Sequence, residues 1–271
     1  MVSHQKKSVV EDTLNEELKN VCDWLSDNRL SLHSGKSEAI IFGSKIKLAR
    51  SPELIIKIKE VLITVKDTVN YLGCVLDKYL SGDLMAQKAI TKINQRIKFL
   101  ARKAAFLDSP ILHTLAGALV QSHFDYAAIC WYTGLSQKLK KKLQTAQNKL
   151  IRVILKVHPR THLDRAHFDK LKWLTVEKRT LYMKLMLTFK IVLNLVPKYL
   201  KNYFTRVSKS HQHSTRGSAT DFIPNRFKTL IGKNSFKYST TTEWNLLPTN
   251  LKQSSSIVTY KVALKRWLQN R

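Results

Sequence analysis

Lys and Arg number 47 against 19 Asp and Glu in this 271-residue chain, a net charge of +28 that exceeds what solubility requires. The excess points to a polyanionic partner, nucleic acid first and an acidic membrane surface second. The 44% apolar content excludes a disordered chain, and three widely spaced cysteines (Cys22, Cys74, Cys130) argue against a disulfide framework and suit a reducing, intracellular compartment.

No apolar N-terminal stretch has the form of a secretory signal, and no run reaches the roughly 18 residues of a membrane span. Ser8, with Glu11 three residues on, has the form of a capping box. Leu14, Leu18, Val21 and Leu25 then repeat at helical spacing, and Asn28-Arg29 closes the helix. Six of the 19 acids fall between Glu11 and Asp27, off that face. Glu38–Phe42 predicts a strand closed by Gly43. Leu54–Ile58 and Val61–Val65 predict a hairpin beginning after Pro52, although Lys59-Glu60 is poor chemistry for a two-residue turn. Val69–Asp77 reads as a short buried strand, with Gly73 inside it marking a bulge or a close backbone approach. Tyr71, Leu72 and Val75 are expected to be buried. Ser81-Gly82-Asp83 then breaks the chain, so residues 1–80 form a helix on a small sheet.

From there the pattern is helical. Ala89, Ile93, Ile97, Leu100 and Ala104 make an apolar stripe, with Lys88, Lys92, Arg96 and Lys103 on a neighbouring face. Pro110 opens another helix. Gln137–Val157 follows, with Leu139, Leu143, Ala146, Leu150, Val153 and Val157 on one side and Lys138, Lys142, Lys149, Arg152 and Lys156 on the other. His158-Pro159 stops it. A helix over Lys178–Leu195 ends at Pro197. Ser208–Ser218 is polar and reads as a linker; irregular pieces and a helix over Ile257–Leu268 complete the chain. The expected regions are therefore 1–80, a helical 81–207, and a basic linker and C-terminal region over 208–271.

Gly35-Lys36-Ser37 lacks the earlier glycine and following helix of a phosphate-binding loop. Three histidines, His158, His162 and His167, could bind zinc, but they read better as loop residues with backbone or phosphate contacts, and His211 and His213 lie in the linker. No metal site is expected, and no nucleophile elbow is present. A row of lysines can be a mere solvated face. Solvated faces mix signs, however, and neither Lys88–Lys103 nor Gln137–Arg160 contains an acid. Single-sign helices suit contact with a phosphate backbone.

Four segments occur in a telling order: Trp24 through Asn28, Leu30 and Lys36; then Tyr71-Leu72-Gly73; then Ser122-His123-Phe124-Asp125-Tyr126 with Trp131; then Trp244-Asn245-Leu246-Leu247-Pro248. This order resembles the reverse transcriptases of non-LTR retrotransposons of the jockey and chicken-repeat kind, over nearly the whole chain. The resemblance implies that Lys36 matches the lysine ending the palm's fourth motif, near the leaving pyrophosphate. It implies that Tyr71, Leu72 and Gly73 match the primer grip, and that the helical region is a thumb holding the product duplex by its phosphates. The family most often has Asn-x-x-Lys-Thr where this chain has His33-Ser34-Gly35-Lys36-Ser37, and Gly35 loosens the backbone before the lysine.

The parent chemistry is RNA-directed DNA polymerisation with two Mg²⁺ ions held by carboxylates, including an adjacent pair of aspartates. Nowhere in this chain are two aspartates adjacent. The resemblance places that pair ahead of the first helix, so the catalytic half of the palm is expected to be absent and the chain to be no enzyme, with no cofactor of its own. The expected fold is α+β, a small palm remnant followed by a mainly helical thumb-like region. The expected partners are RNA, DNA or their hybrid, bound without sequence preference and away from membranes, in the nucleus rather than the cytoplasm. The alternatives are a stand-alone, non-catalytic nucleic-acid-binding module and a decayed transposable-element product with no selected function.

Overall fold

The computed structural model describes residues 7–50, 54–59, 61–209 and 220–271. The fold is α+β, 62% helical with two small antiparallel sheets, and it divides into two units, Met1–Leu80 and Ser81–Arg271.

The first unit is built on a helix over Lys7–Asp27. Its inner face is Val10, Leu14, Leu18 and Cys22, packed on Leu54, Ile56, Ile58 and Ile63. Val21, expected on that face, is exposed, and Cys22 takes its place. Both border the Leu18 position on a helix, and the packed hairpin covers the Cys22 side. Ser8 lies inside the helix rather than capping it. The Glu11 side chain instead accepts from the Ile55 backbone N–H at 3.3 Å. Asn15 goes further: its Nδ2 donates to the Ile55 carbonyl at 3.1 Å and its Oδ1 accepts from Lys57 N–H at 2.9 Å. One side-chain amide thus occupies the free edge of the sheet as a neighbouring peptide would.

That sheet pairs β1 (Ile56–Ile58) with β2 (Val61–Ile63), Ile56 opposite Ile63. Lys59 takes a left-handed backbone, φ 53°, to make the turn. Pro52 and Glu60 lie outside the described residues. The strand expected over Glu38–Phe42 is reduced to one parallel bridge, Ala39 to Val65.

The continuous strand expected over Val69–Asp77 is a hairpin. β3 (Thr68–Tyr71) pairs antiparallel with β4 (Cys74–Asp77), Tyr71 opposite Cys74. Leu72 and Gly73 form the two-residue turn, both at positive φ, 48° and 82°. Tyr71 is 63% exposed and Leu72 77%, so neither is a core residue, and Val75 is only half-buried. An unbroken apolar run conceals this turn, because leucine carries no turn signal and the glycine alone reads equally as a bulge.

The second unit opens with a helix over Asp83–Lys103, preceded by Gly82 at φ 76°. Met85, Ala86, Ala89, Ile93, Ile97 and Leu100 are its buried side. A helical path over Ser109–Asp125 follows, with one π-helical turn at Gly117–Gln121. It and the Asp83–Lys103 helix both pack on the Gln137–Leu155 helix, which buries Leu139, Leu143, Ala146, Leu150, Ile151 and Ile154. Lys156, left-handed at φ 52°, ends this helix ahead of the expected Val157.

The C-terminal segment differs most from expectation. Ahead of the expected final helix, which runs over Ile257–Asn270, it contains helices over Leu230–Asn234, Phe236–Asn245 and Thr249–Lys252 rather than irregular pieces. All but the Leu230–Asn234 helix, which buries no residue, share one core with the Val176–Val192 helix: Leu185 and Phe189 meet Phe222, Trp244, Tyr260, Leu264 and Leu268. The Phe189 and Tyr260 rings stack at 3.9 Å. The expected separate region beginning at 208 is therefore packed into the second unit from Asp221 onward. Most of the expected linker, with His211 and His213, lies outside the described residues.

Candidate nucleic-acid interface

The two basic rows lie on the outer sides of helices whose inner sides are packed together. On Asp83–Lys103, Lys92, Arg96 and Lys103 are exposed and Lys88 is half-exposed. At four- and seven-residue steps they follow one face, spanning about 22 Å of helix axis. Burial first, and then the cations Lys92 and Arg96, holds the nearby His123 below the usual imidazole range. On Gln137–Leu155, Lys138, Lys142 and Lys149 are exposed, Arg152 is half-buried and Lys156 is exposed just beyond the helix. Among the described residues, none of Lys92, Arg96, Lys103, Lys138, Lys142, Lys149 and Lys156 makes an ion pair.

The C-terminal ends of the two helices meet at a cleft of about 410 Å³. Ala101, Ala104 and Ala105 form one wall, and Lys149, Arg152, Val153 and Lys156 the other. Arg152 Nε donates to the Thr161 carbonyl at 3.0 Å, which fixes the guanidinium plane at the cleft. Three of the cations read from the sequence are thus gathered around an apolar floor, while Lys138 lies about 27 Å along the helix from Lys156. Lys98 and Arg102 are exposed as well, off the Lys92–Arg96 row. The signal for them is the acid-free run itself, not the spacing.

In the first unit, Lys36 is the exposed last residue of a 3-10 turn, Ser34–Lys36, beside β2. Its backbone N–H donates to the His33 carbonyl at 3.0 Å. Tyr71, Leu72 and Gly73 form the exposed tip of the β3–β4 hairpin.

Of the histidines at 158, 162 and 167, His158 and His167 are tied up locally and His162 is exposed. His158 Nδ1 accepts from Arg160 N–H at 3.2 Å. His167 Nδ1 lies 2.6 Å from Asp164 Oδ1 in a capping box, and that hydrogen bond holds the Asp164 carboxyl below the usual carboxylate range. Among the described residues no group of three or more His, Cys, Asp and Glu is placed to hold a metal ion. Glu11 is spent on the Ile55 N–H, and Glu16 and Glu17 are exposed on the first helix.

No helix among the described residues is long and apolar enough to cross a membrane. No family model matches the chain, and neither curated proteins nor solved structures yielded a match.

Proposed function

We propose that this chain binds nucleic acid by its phosphate backbone, without reading base sequence, and that it is related to the palm end and thumb of a non-LTR retrotransposon reverse transcriptase but carries none of the polymerase carboxylates. The observation that carries this reading is the pair of acid-free cationic rows on two packed helices, the second of which ends at the Lys149–Arg152–Lys156 cleft. Cations held on rigid helices meet phosphates by releasing counterions, a contact that positions a strand but does not specify it. The exposed hairpin tip adds Tyr71, an aromatic face of the kind on which a base stacks. The absence of any Asp-Asp pair in the chain supports a binding role rather than nucleotidyl transfer.

The test is fluorescence anisotropy with a labelled RNA–DNA hybrid over a salt series, alongside a primed template supplied with Mg²⁺ and nucleotides. The hybrid should bind with an affinity that falls steeply with salt, and the primer should stay unextended. Salt-insensitive binding would overturn the phosphate-grip reading, and primer extension would overturn the non-catalytic one.

A further inference from the structure

Among the described residues of the second unit two lysines are buried, and they differ in one respect. Lys252 Nζ has the Asp221 carboxylate at 2.6 Å. Lys184, 6% exposed on the Val176–Val192 helix, has only hydroxyls. Its Nζ donates to Thr133 Oγ1 and, at 3.1 Å, to Ser239 Oγ. Among the described residues no carboxylate stands within ion-pairing distance of it. The main acidic influence on it is Glu243, whose carboxylate is paired with Arg271 at 2.7 Å. A buried ammonium without an anion is unfavourable, and a ligand that brings one relieves the imbalance.

Lys184 also opens onto space. It lines a cleft of about 530 Å³, the size that holds a small molecule. Around it stand Lys140, Lys178, Lys233 and Arg271, so five cations face two carboxylates, Glu177 and Glu243. Lys140 Nζ sits 5.4 Å from the Tyr132 ring centre, and Tyr238 lines the same cleft. Lys140 and Lys156 are about 24 Å apart along their helix, which separates this cleft from the one at the helix ends.

We propose that this second cleft binds a phosphate monoester, with the Lys184 ammonium and the Thr133 hydroxyl at its floor; the Ser239 hydroxyl accepts from Lys184, donates to the Ser235 carbonyl at 2.9 Å and so holds the lysine in place. A phosphate dianion has the oxygens to meet several donors at once and the charge to balance the cations around it. The remaining volume, with Tyr132 and Tyr238 among its lining, takes the group esterified to the phosphate. That group belongs either to a free small molecule or to the end of a nucleic-acid strand.

The site should be pH-dependent. Burial, and secondarily Lys140, lowers Lys184 to about 8, against the opposing influence of Glu243 and Cys130. The groups facing it from the packed elements are Lys140, Glu177, Lys178, Lys233, Glu243 and Arg271. Burial holds Tyr132 well above the usual phenol range, so it stays neutral. Lys184 therefore loses its charge as pH rises through about 8, and phosphate affinity falls with it.

Calorimetric titration of the full chain with inorganic phosphate tests this. One saturable site is expected at about pH 7, weakened at least about tenfold by Lys184→Met and left unchanged by Lys190→Gln, an exposed position of the same helix outside the cleft. Loss of saturation, or equal weakening by Lys190→Gln, would mean diffuse surface attraction and overturn the site. A second measurement needs no variant. Phosphate should protect Lys184, but not the exposed Lys190 of the same helix, from an amine-modifying reagent read by mass spectrometry; unprotected Lys184 overturns the proposal. Competition by ribose 5-phosphate and by a 5′-phosphorylated oligonucleotide against its 5′-hydroxyl form identifies the source. Displacement by either phosphorylated probe supports the site, and displacement by neither counts against it.

Discussion

The Arg179 guanidinium meets the Asp125 carboxylate fork to fork, Nε on one oxygen and a terminal nitrogen on the other, across 54 residues of chain. Both side chains are about two-thirds or more buried, at 33% and 26% exposure, and Gln121 Nε2 donates to the same carboxylate at 3.3 Å. The pair ties the end of the Ser109–Asp125 helical path to the Val176–Val192 helix, joining the first three long helices of the unit to its C-terminal core.

Arg179→Lys keeps the charge and loses the fork, so it should cost about 1–2 kcal/mol of stability. Arg179→Ala should cost more, because it strands a half-buried carboxylate. A denaturant-unfolding cycle with Asp125→Ala should show coupling of about 1–2 kcal/mol. Additive effects would mean the pair is incidental.

Gly82→Ala should destabilise the second unit by about 2–3 kcal/mol. Its φ of 76° disfavours any side chain, and an added Cβ would stand 2.7 Å from the Trp131 carbonyl oxygen. Circular dichroism on heating would read the loss. An unchanged melting temperature would show that the helix start can shift away from Trp131.

Tyr71→Ala should change stability by no more than about 0.5 kcal/mol, because the ring is mostly in solvent. Gly73→Ala, at φ 82°, should cost about 1 kcal/mol through the turn. If the hairpin tip stacks on a base, Tyr71→Ala should weaken hybrid binding by about 1–3 kcal/mol at unchanged stability. Equal binding by the mutant and the wild type would remove the tip from the interface.

For the wild-type protein, five or six phosphate contacts predict a slope of log K against log salt of about −4 to −5. Replacing Lys88, Lys92 and Arg96 together with Gln should flatten that slope by about one for each phosphate these side chains neutralise, with little change in discrimination between base sequences. Lys19→Gln, on the acidic first helix, is the control. A triple mutant that binds as the wild type does while the control weakens would move the grip to the first unit.

The sequence by itself determined the α+β class, the long helices and the acid-free cationic rows. Apolar spacing such as Ala89, Ile93, Ile97 and Leu100 needs only the 3.6-residue turn to be read, and charge run-lengths need no structure at all. The choice of Cys22 over Val21 could not be read that way, since both border the same stripe and only the hairpin arriving from residues 54–63 selects between them. Nor could the Leu72-Gly73 turn, because nothing local in Val69–Asp77 says whether its two halves continue or fold back on each other. Lys184 is the sharpest case. With Thr180 and Thr188 it forms a polar series at four-residue steps along a buried helix face, a pattern visible in the sequence. Whether that face met solvent or protein depended on Thr133 and Ser239, each more than 50 residues away, and their hydroxyls reach Lys184 only once the C-terminal helices close over it.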